Sequence, residues 1–107
     1  MSSEIAIIGA GMHPWGKWGH NFVQYGVAAA REALADAGVP WKDVRFVSGG
    51  ATVRCGYPGY VAGATFAQAL GWQGAEVNTS YAACASGSQA LAAARNKILS
   101  GECEVAL

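Results

Sequence analysis

The chain changes from a strand pattern to a helix pattern between residues 76 and 101, and this change constrains the fold most. A short run of strand type, Glu76-Val77-Asn78, leads into small and polar residues. From about Cys84 the spacing is helical, through Leu91 and Ile98 to a stop at Gly101. This helix is small and apolar around its whole circumference, whereas a surface helix shows one apolar stripe. We therefore predict a helix buried between two layers, with Cys84 at or near its first turn.

The position of Cys84 has a chemical consequence. The first N–H groups of a helix lack intrahelical partners, and the macrodipole places about half a positive charge there. A thiolate is stabilised at such a site, so we expect the pKa of Cys84 to fall below the value of about 8.5 of a free cysteine. Strand-to-helix turns also expose the nucleophile of several α/β enzymes. A small buried structural cysteine is the alternative, and position alone leaves both open.

The residues after this position carry a family resemblance. Cys84-Ala85-Ser86-Gly87, followed by Ala90, resembles the nucleophile segment of the thiolase superfamily. The rest of the chain is similar in order and spacing, from an N-terminal Ile-Ile-Gly strand through a helix that ends Ala-Asp-Ala-Gly. Within the superfamily, the Gly-Tyr-Pro-Gly stretch at 56–59 and the cysteine turn look most like the lipid-transfer-protein branch. That branch includes sterol-carrier-protein-X thiolases and aldolases that cleave steroid side chains.

This resemblance implies a fold class and an architecture. Residues 1–107 would be the N-terminal part of a thiolase-like α/β/α/β/α layered fold, and the chain would be truncated or incomplete. The predicted helix after Cys84 supports this expectation, because a helix enclosed on all sides needs a second sheet that these residues do not supply.

The resemblance also implies chemistry on acyl-CoA thioesters of lipids or steroid side chains, with no cofactor beyond the coenzyme A of the substrate. In thiolysis Cys84 would be the catalytic nucleophile, whereas in a retro-aldol member it would only line the pocket. Tyr81 stands where many thiolases have Asn, which favours a non-standard member. A histidine and a second cysteine from the absent half complete thiolase sites, so this chain alone would be inactive. A homodimer and a small zinc-ribbon/OB-fold subunit are the implied partners.

Composition excludes several other classes. The 107 residues carry no net charge, and their basic side chains form no stripe, which argues against nucleic-acid binding. No stretch reaches about 18 apolar residues, and the N-terminus lacks a signal-peptide layout. Three cysteines without a paired spacing predict reduced thiols in a cytoplasm and no structural zinc. A chain that is 52% hydrophobic and 13% charged predicts a subunit interface or further sequence.

The N-terminal third offers two alternative sites, both weaker. Ile5-Ala6-Ile7-Ile8 predicts a strand, and Gly9-Ala10-Gly11 after it suggests a Rossmann-type dinucleotide-binding fragment. Pro14 occupies the place of the third glycine of that fingerprint, which counts against it. His13 and His20 flank two tryptophans, but without a carboxylate or cysteine they predict a surface or interface loop. A non-catalytic lipid-carrier or interaction module is the remaining alternative.

The other elements follow from local signals. Asn21 predicts a helix start and Gly38 its end, and the apolar stripe between them should cover an outer face of the sheet. A second strand is expected over 45–52, with Gly49 and Gly50 allowing close backbone approach. A turn-rich loop at 54–60 precedes a helix of small residues at 61–70, which the resemblance places at a dimer interface. A third strand begins at 75 and a fourth covers 102–107.

Overall fold

Helices pack around a small parallel sheet, which gives the α/β fold. The computed structural model describes residues 4–52 and 56–107. The elements in chain order are α1 (Phe22–Ala37), a 3-10 turn (Trp41–Asp43), β1 (Phe46–Gly50), α2 (Tyr57–Tyr60), α3 (Ala62–Gly71), β2 (Glu76–Ser80) and α4 (Ser86–Leu99). The predicted loop at 54–60 therefore contains the short α2, and its residues 54 and 55 lie outside the described residues.

The sheet is built on β1. Strands β1 and β2 are parallel, with Phe46 opposite Glu76 and Gly50 opposite Ser80. The other edge of β1 pairs with the end of the chain, where Leu107 N–H donates to the Phe46 carbonyl oxygen at 2.9 Å. Only the bridge between Phe46 and Ala106 represents the predicted fourth strand. The second and third predicted strands are confirmed with shifted ends.

The predicted first strand, Ile5 to Ile8, is wrong. These residues form no strand in the structure, and the side chains of Ile7 and Ile8 are 75% and 57% exposed. An apolar run becomes a strand only when another strand supplies its hydrogen-bond partners. Among the described residues, β2 and the 105–107 segment occupy both edges of β1. The segment instead lies along α1, where Ala10 N–H donates to an oxygen of Asp36 at 3.0 Å.

Helix α1 begins and ends where the sequence predicts. Asn21 and Gln24 form a reciprocal capping box, and Gly38 closes the helix in the left-handed conformation with φ 68°. Its packing differs from the prediction, because α1 lies mainly against α3 rather than on the sheet. The rings of Phe22 and Phe66 meet edge to face with centroids 5.8 Å apart. A Cβ on Gly26 would collide with the Phe66 ring, so the glycine lets the two helices approach closely.

The small residues of α3 serve packing within the chain. Ala62, Gly63 and Ala67 are buried, and α3 covers both strands. A Cβ added to Gly49 would lie 2.6 Å from the backbone nitrogen of Gly63, so glycine is required where α3 crosses β1. The expectation of close approach at Gly49 is therefore confirmed. The core beside this contact contains Val44, Val47, Ala67 and Ala75.

Helix α4 is not enclosed within the described chain. It begins at Ser86, two residues later than predicted, and its buried residues are Ser86 and Ala90. The opposite side is open, and Leu91 is 57% exposed. The sheet covers α4 on one side only. The predicted second layer was expected from outside these residues, so that part of the prediction stays a prediction. The Ser48 hydroxyl fixes it to β1 by donating to the Ala90 carbonyl oxygen at 2.7 Å.

Candidate active site

Cys84 lies in the five-residue connection between the end of β2 and the start of α4. Its side chain is a free thiol and is exposed. The strand directs the chain to the carboxyl edge of the sheet, and the helix begins two residues after the cysteine. The first helical N–H, that of Ser86, donates to the Ala83 carbonyl oxygen at 3.1 Å, and Ala85 provides no side-chain cap for the N–H groups that follow. The predicted placement of Cys84 near a helix start is therefore what the structure shows.

The Ser86 side chain holds the turn that carries the cysteine. This side chain is 2% exposed, and no other polar residue is buried in the described ranges 4–52 and 56–107. Its Oγ accepts a hydrogen bond from Ala82 N–H at 3.0 Å and donates one to the Ala83 carbonyl oxygen at 2.8 Å. Both partners lie in the segment just before Cys84, so one hydroxyl ties the peptide between residues 81 and 82 and the peptide between residues 83 and 84 to the helix start.

The backbone within this turn is strained and crowded. Ala83 has φ 50°, a conformation that residues with a Cβ seldom adopt. The turn is closed by Ala85 N–H donating to the Ala82 carbonyl oxygen at 2.9 Å. At the end of β1, a Cβ on Gly50 would lie 2.5 Å from the Ser86 carbonyl oxygen. The helix start and the strand end are thus in direct backbone contact, as expected for Gly50.

The residues just before Cys84 divide into an exposed tyrosine and a structural amide. Tyr81 is 61% exposed, three residues ahead of the cysteine. Asn78 points its amide nitrogen at the Ser80 hydroxyl, 3.1 Å away, and lies 3.4 Å from the Ser48 hydroxyl. The Asn78 amide therefore links the two strands and has no hydrogen bond to the thiol. Tyr81 is the exposed polar side chain that precedes Cys84 in the turn.

The other cysteines differ from Cys84. Cys103 is buried, and desolvation raises the pKa of its thiol above the usual value. Cys55 lies outside the described residues. A buried thiol with a raised pKa is a poor nucleophile, because the thiolate is the reactive form. Burial, which also raises the pKa of Cys103, therefore sets that thiol apart from the exposed Cys84.

The two histidines of the tryptophan loop contact aromatic rings. His13 packs on Tyr25 with ring centroids 4.5 Å apart, and His20 lies 5.9 Å from the same ring. Trp15 is 91% exposed, so the predicted surface loop is confirmed. Within residues 4–52 and 56–107, no group of three or more His, Cys, Asp or Glu residues is placed to hold a metal ion.

The Gly9-Ala10-Gly11 stretch has a packing role. A Cβ on Gly9 would lie 2.8 Å from that of Ala37, and one on Gly11 would lie 2.6 Å from Ala33 N. Both contacts involve the C-terminal half of α1. A pyrophosphate site needs the N-terminus of a helix at this place. The geometry therefore gives no support to the Rossmann-type alternative.

Ser86 is the residue that the sequence reasoning did not single out. The available signal was a hydroxyl residue at the start of a helix, the type that bonds to nearby backbone groups in preference to the helix interior. Its position two residues after Cys84 also lies within the motif that carries the resemblance.

The fold and the turn define an α/β protein that presents a cysteine between a parallel strand and a helix. Residues 5–107 match the family model described as thiolase, N-terminal domain. The chain therefore belongs to the thiolase superfamily and corresponds to the N-terminal domain of its members. A comparison with curated proteins gave no significant match. The described residues contain no helix of the length and apolarity that a membrane span requires.

Proposed function

We propose that this chain is the nucleophile-bearing part of an enzyme that cleaves a carbon–carbon bond in acyl-CoA thioesters. The observation that carries the proposal is the exposed Cys84 thiol on the turn between β2 and α4, in a chain that matches the thiolase N-terminal domain. The acyl groups proposed are lipid or steroid side chains, following the likeness of the cysteine turn to the lipid-transfer-protein branch. Coenzyme A enters as part of the substrate, and no resident cofactor is needed.

In the proposed reaction the Cys84 thiolate attacks the 3-keto carbon of a 3-ketoacyl-CoA. The bond between carbons 2 and 3 breaks, and the shortened acyl group stays on Sγ as a thioester. The electron pair of the broken bond leaves as the enolate of acetyl-CoA, which takes up a proton. The thiol of a second coenzyme A then attacks the thioester, its proton returns to Sγ, and the product is the shortened acyl-CoA. The N-terminal N–H groups of α4, which carry no side-chain cap, provide positive charge beside the developing oxyanion.

Retro-aldol cleavage is the second candidate, and Tyr81 favours it. This phenol is 61% exposed at the turn and replaces the Asn of many thiolases. A β-hydroxyacyl-CoA would lose its hydroxyl proton to a base as the bond between carbons 2 and 3 breaks, giving a carbonyl product and an enolate that is protonated. No acyl-enzyme forms, and Cys84 only lines the pocket. The homodimer and the zinc-ribbon/OB-fold partner belong to this proposal as expectations.

Preferential labelling of Cys84 by iodoacetamide would not by itself establish a nucleophile. Cys84 is exposed while Cys103 is buried, so a difference between them follows from access alone. The decisive observation is an acyl group on Sγ. Full-length protein with Cys55→Ser is mixed with a 3-ketoacyl-CoA, quenched in acid and digested with trypsin. The Cys55→Ser substitution is needed because no Lys or Arg lies between Cys55 and Arg95, so the thiols of Cys55 and Cys84 would otherwise fall in one tryptic peptide.

The expected result is an acyl mass on the Cys84 peptide and loss of thiolysis in Cys84→Ala. Retained cleavage of a β-hydroxyacyl-CoA by Cys84→Ala, with no acylated peptide, would assign the retro-aldol reaction. Absence of both reactions in the unsubstituted full-length protein would favour the non-catalytic lipid carrier. Tyr81→Phe is the companion variant to Cys84→Ala, because it tests the retro-aldol candidate by removing only a hydroxyl. It should slow the retro-aldol reaction more than thiolysis.

A further inference from the structure

We propose that Ser86 is a positioning residue that sets the orientation of Cys84 in the proposed reaction. The inference rests on the proposed function, because it concerns the same cysteine. Its basis is the burial of the Ser86 side chain, which is 2% exposed, and the direction of both hydrogen bonds of its hydroxyl. Both partners of this buried hydroxyl are backbone groups in the segment before Cys84. The hydroxyl therefore fixes the backbone conformation of that segment.

The two hydrogen bonds run in opposite senses and fix two peptides, the one that joins residues 81 and 82 and the one that joins residues 83 and 84. The hydroxyl accepts from Ala82 N–H and donates to the Ala83 carbonyl oxygen. The Ala83 carbonyl belongs to the peptide that joins Ala83 to Cys84, so its orientation sets the direction in which the Cys84 side chain leaves the backbone. Ala83 is the residue with φ 50°, and a strained conformation persists only where its surroundings determine it.

The start of α4, where Ser86 lies, is itself held rigidly against β1. Gly50 leaves no room for Ser86 to move toward the sheet, because even a Cβ on Gly50 would lie 2.5 Å from the Ser86 carbonyl oxygen. The end of β1 therefore fixes the helix start, and Ser86 transmits that fixed position to the cysteine turn.

Ser48 supplies a matched control. Like Ser86, it has a hydroxyl that donates to a backbone carbonyl of this region, but its acceptor is Ala90 in α4 and not the turn. Ser86→Ala and Ser48→Ala each remove one hydroxyl that donates to a backbone carbonyl, at a buried position for Ser86 and a half-buried one for Ser48. A purely structural role predicts that each substitution changes stability alone, whereas a positioning role predicts that Ser86→Ala also changes Cys84 chemistry.

The test uses full-length protein carrying Cys55→Ser, with each serine variant added in turn. For Ser86→Ala we expect kcat for thiolysis to fall about 10- to 100-fold with KM for the acyl-CoA within about 3-fold, the pattern of a lost transition-state geometry. Iodoacetamide should also label Cys84 at least about 5-fold more slowly at constant pH, because the thiol is no longer held at the helix start. Ser48→Ala should change neither rate by more than about 2-fold, and the two variants should unfold at similar temperatures.

The labelling rate separates this inference from the proposed function. If Cys84→Ala retains turnover, covalent catalysis fails, yet slower labelling in Ser86→Ala still supports the positioning role. Equal labelling and equal kcat in the two serine variants would overturn it, as would a fall in unfolding temperature without a change in either rate. Should Ser86→Ala fail to fold, hydrogen exchange of the Ala82 amide in the unsubstituted protein decides, since rapid exchange there would contradict the hydrogen bond to Ser86.

Discussion

At the scale of single residues, Ala83 is the most informative position near the candidate site. Its φ of 50° costs about 1 kcal/mol for a residue with a Cβ and nothing for glycine. We expect Ala83→Gly to raise the free energy of unfolding by up to about 1 kcal/mol. Chemical denaturation of the full-length protein measures the change. The effect on turnover should be small, since the hydroxyl of Ser86 still holds the turn.

Ala92 provides the control for this prediction. It lies inside α4 and is exposed. Replacing it by glycine relieves no strain and increases the freedom of the unfolded chain, so Ala92→Gly should lower the free energy of unfolding by about 0.5–1 kcal/mol. The two substitutions are chemically identical and should act with opposite sign. A loss of stability in both would show that the backbone of Ala83 is not strained.

The residue scale also shows what the sequence could and could not reveal. The position of Cys84 near a helix start was predictable, because strand and helix periods meet beside it and the motif after it is specific. A hydroxyl residue at the helix start was a local signal for Ser86. Its role, however, depends on where two backbone groups of the turn point, and the sequence does not show that. The conformation of Ala83 left no signal either, since alanine does not indicate positive φ as glycine does.

At the scale of elements, the contact between α3 and the sheet depends on Gly63. It is the second residue of α3, and a Cβ there would collide with the Asn78 carbonyl oxygen and lie 3.2 Å from the Thr79 hydroxyl. Gly63 N–H also donates to that hydroxyl at 2.9 Å. We expect Gly63→Ala to push α3 off β2 and lower the free energy of unfolding by about 1–3 kcal/mol.

Gly87 is the matched control, because it is likewise the second residue of its helix, α4. A Cβ at Gly87 would meet nothing within 4 Å. Gly87→Ala should therefore leave stability unchanged or raise it by up to about 1 kcal/mol, as expected from helix propensity. Chemical denaturation of both variants measures the difference. Equal losses would mean that backbone propensity and not the contact with β2 explains the result at Gly63.

The end of α4 carries an ion-pair cluster that gives a pH-dependent contribution. Lys97 bonds to Glu76 of β2 and to Glu102 in the turn after the helix. The Ser100 hydroxyl, and then Lys97, lower the pKa of Glu102 below its ordinary value of 4.5. A lowered pKa in the folded state gives stability that is present above pH 4.5 and is lost as the pH falls through the folded value. The effect is small because the carboxylate is solvent-exposed.

We therefore expect Glu102→Gln to flatten the acid side of the stability curve slightly below pH 5, with little change in shape above it. Thermal unfolding between about pH 3 and 7 measures the curve. Glu104→Gln is the control, since Glu104 makes no ion pair among residues 4–52 and 56–107. An equal flattening in both variants would assign the effect to net charge rather than to the contacts of Glu102.

Elements with local signals were the most predictable. Helix α1 carries its cap and its stop in adjacent residues, so its bounds followed from Asn21 and Gly38. The Ile5–Ile8 run carries only hydrophobicity, and whether it forms a strand depends on partners elsewhere. The composition of α4 predicts that both of its sides are covered, but it does not show which residues cover the side away from the sheet.

At the scale of the whole molecule, apolar surface collects around one groove. A cavity of about 460 Å³ lies between the N-terminal segment, α1, β1 and α4. Two of its lining side chains, Ile7 and Leu91, are 75% and 57% exposed. Exposed apolar surface of this kind is unusual in a monomeric soluble domain. The sequence anticipated such a surface from the excess of apolar over charged residues, but not its location.

The groove should bind an apolar dye when residues 1–107 are produced alone. We expect anilinonaphthalene sulfonate to fluoresce strongly with this chain, and Ile7→Glu with Leu91→Glu to reduce the signal by half or more, because the two charges disfavour apolar binding. Trp15→Glu is the control, since Trp15 is 91% exposed but does not line the groove. An equal reduction by Trp15→Glu would show that the dye reports general exposed surface. Full-length protein extends the test: if a second layer covers α4, the dye signal per chain should be lost there, and a persistent signal would contradict that expectation.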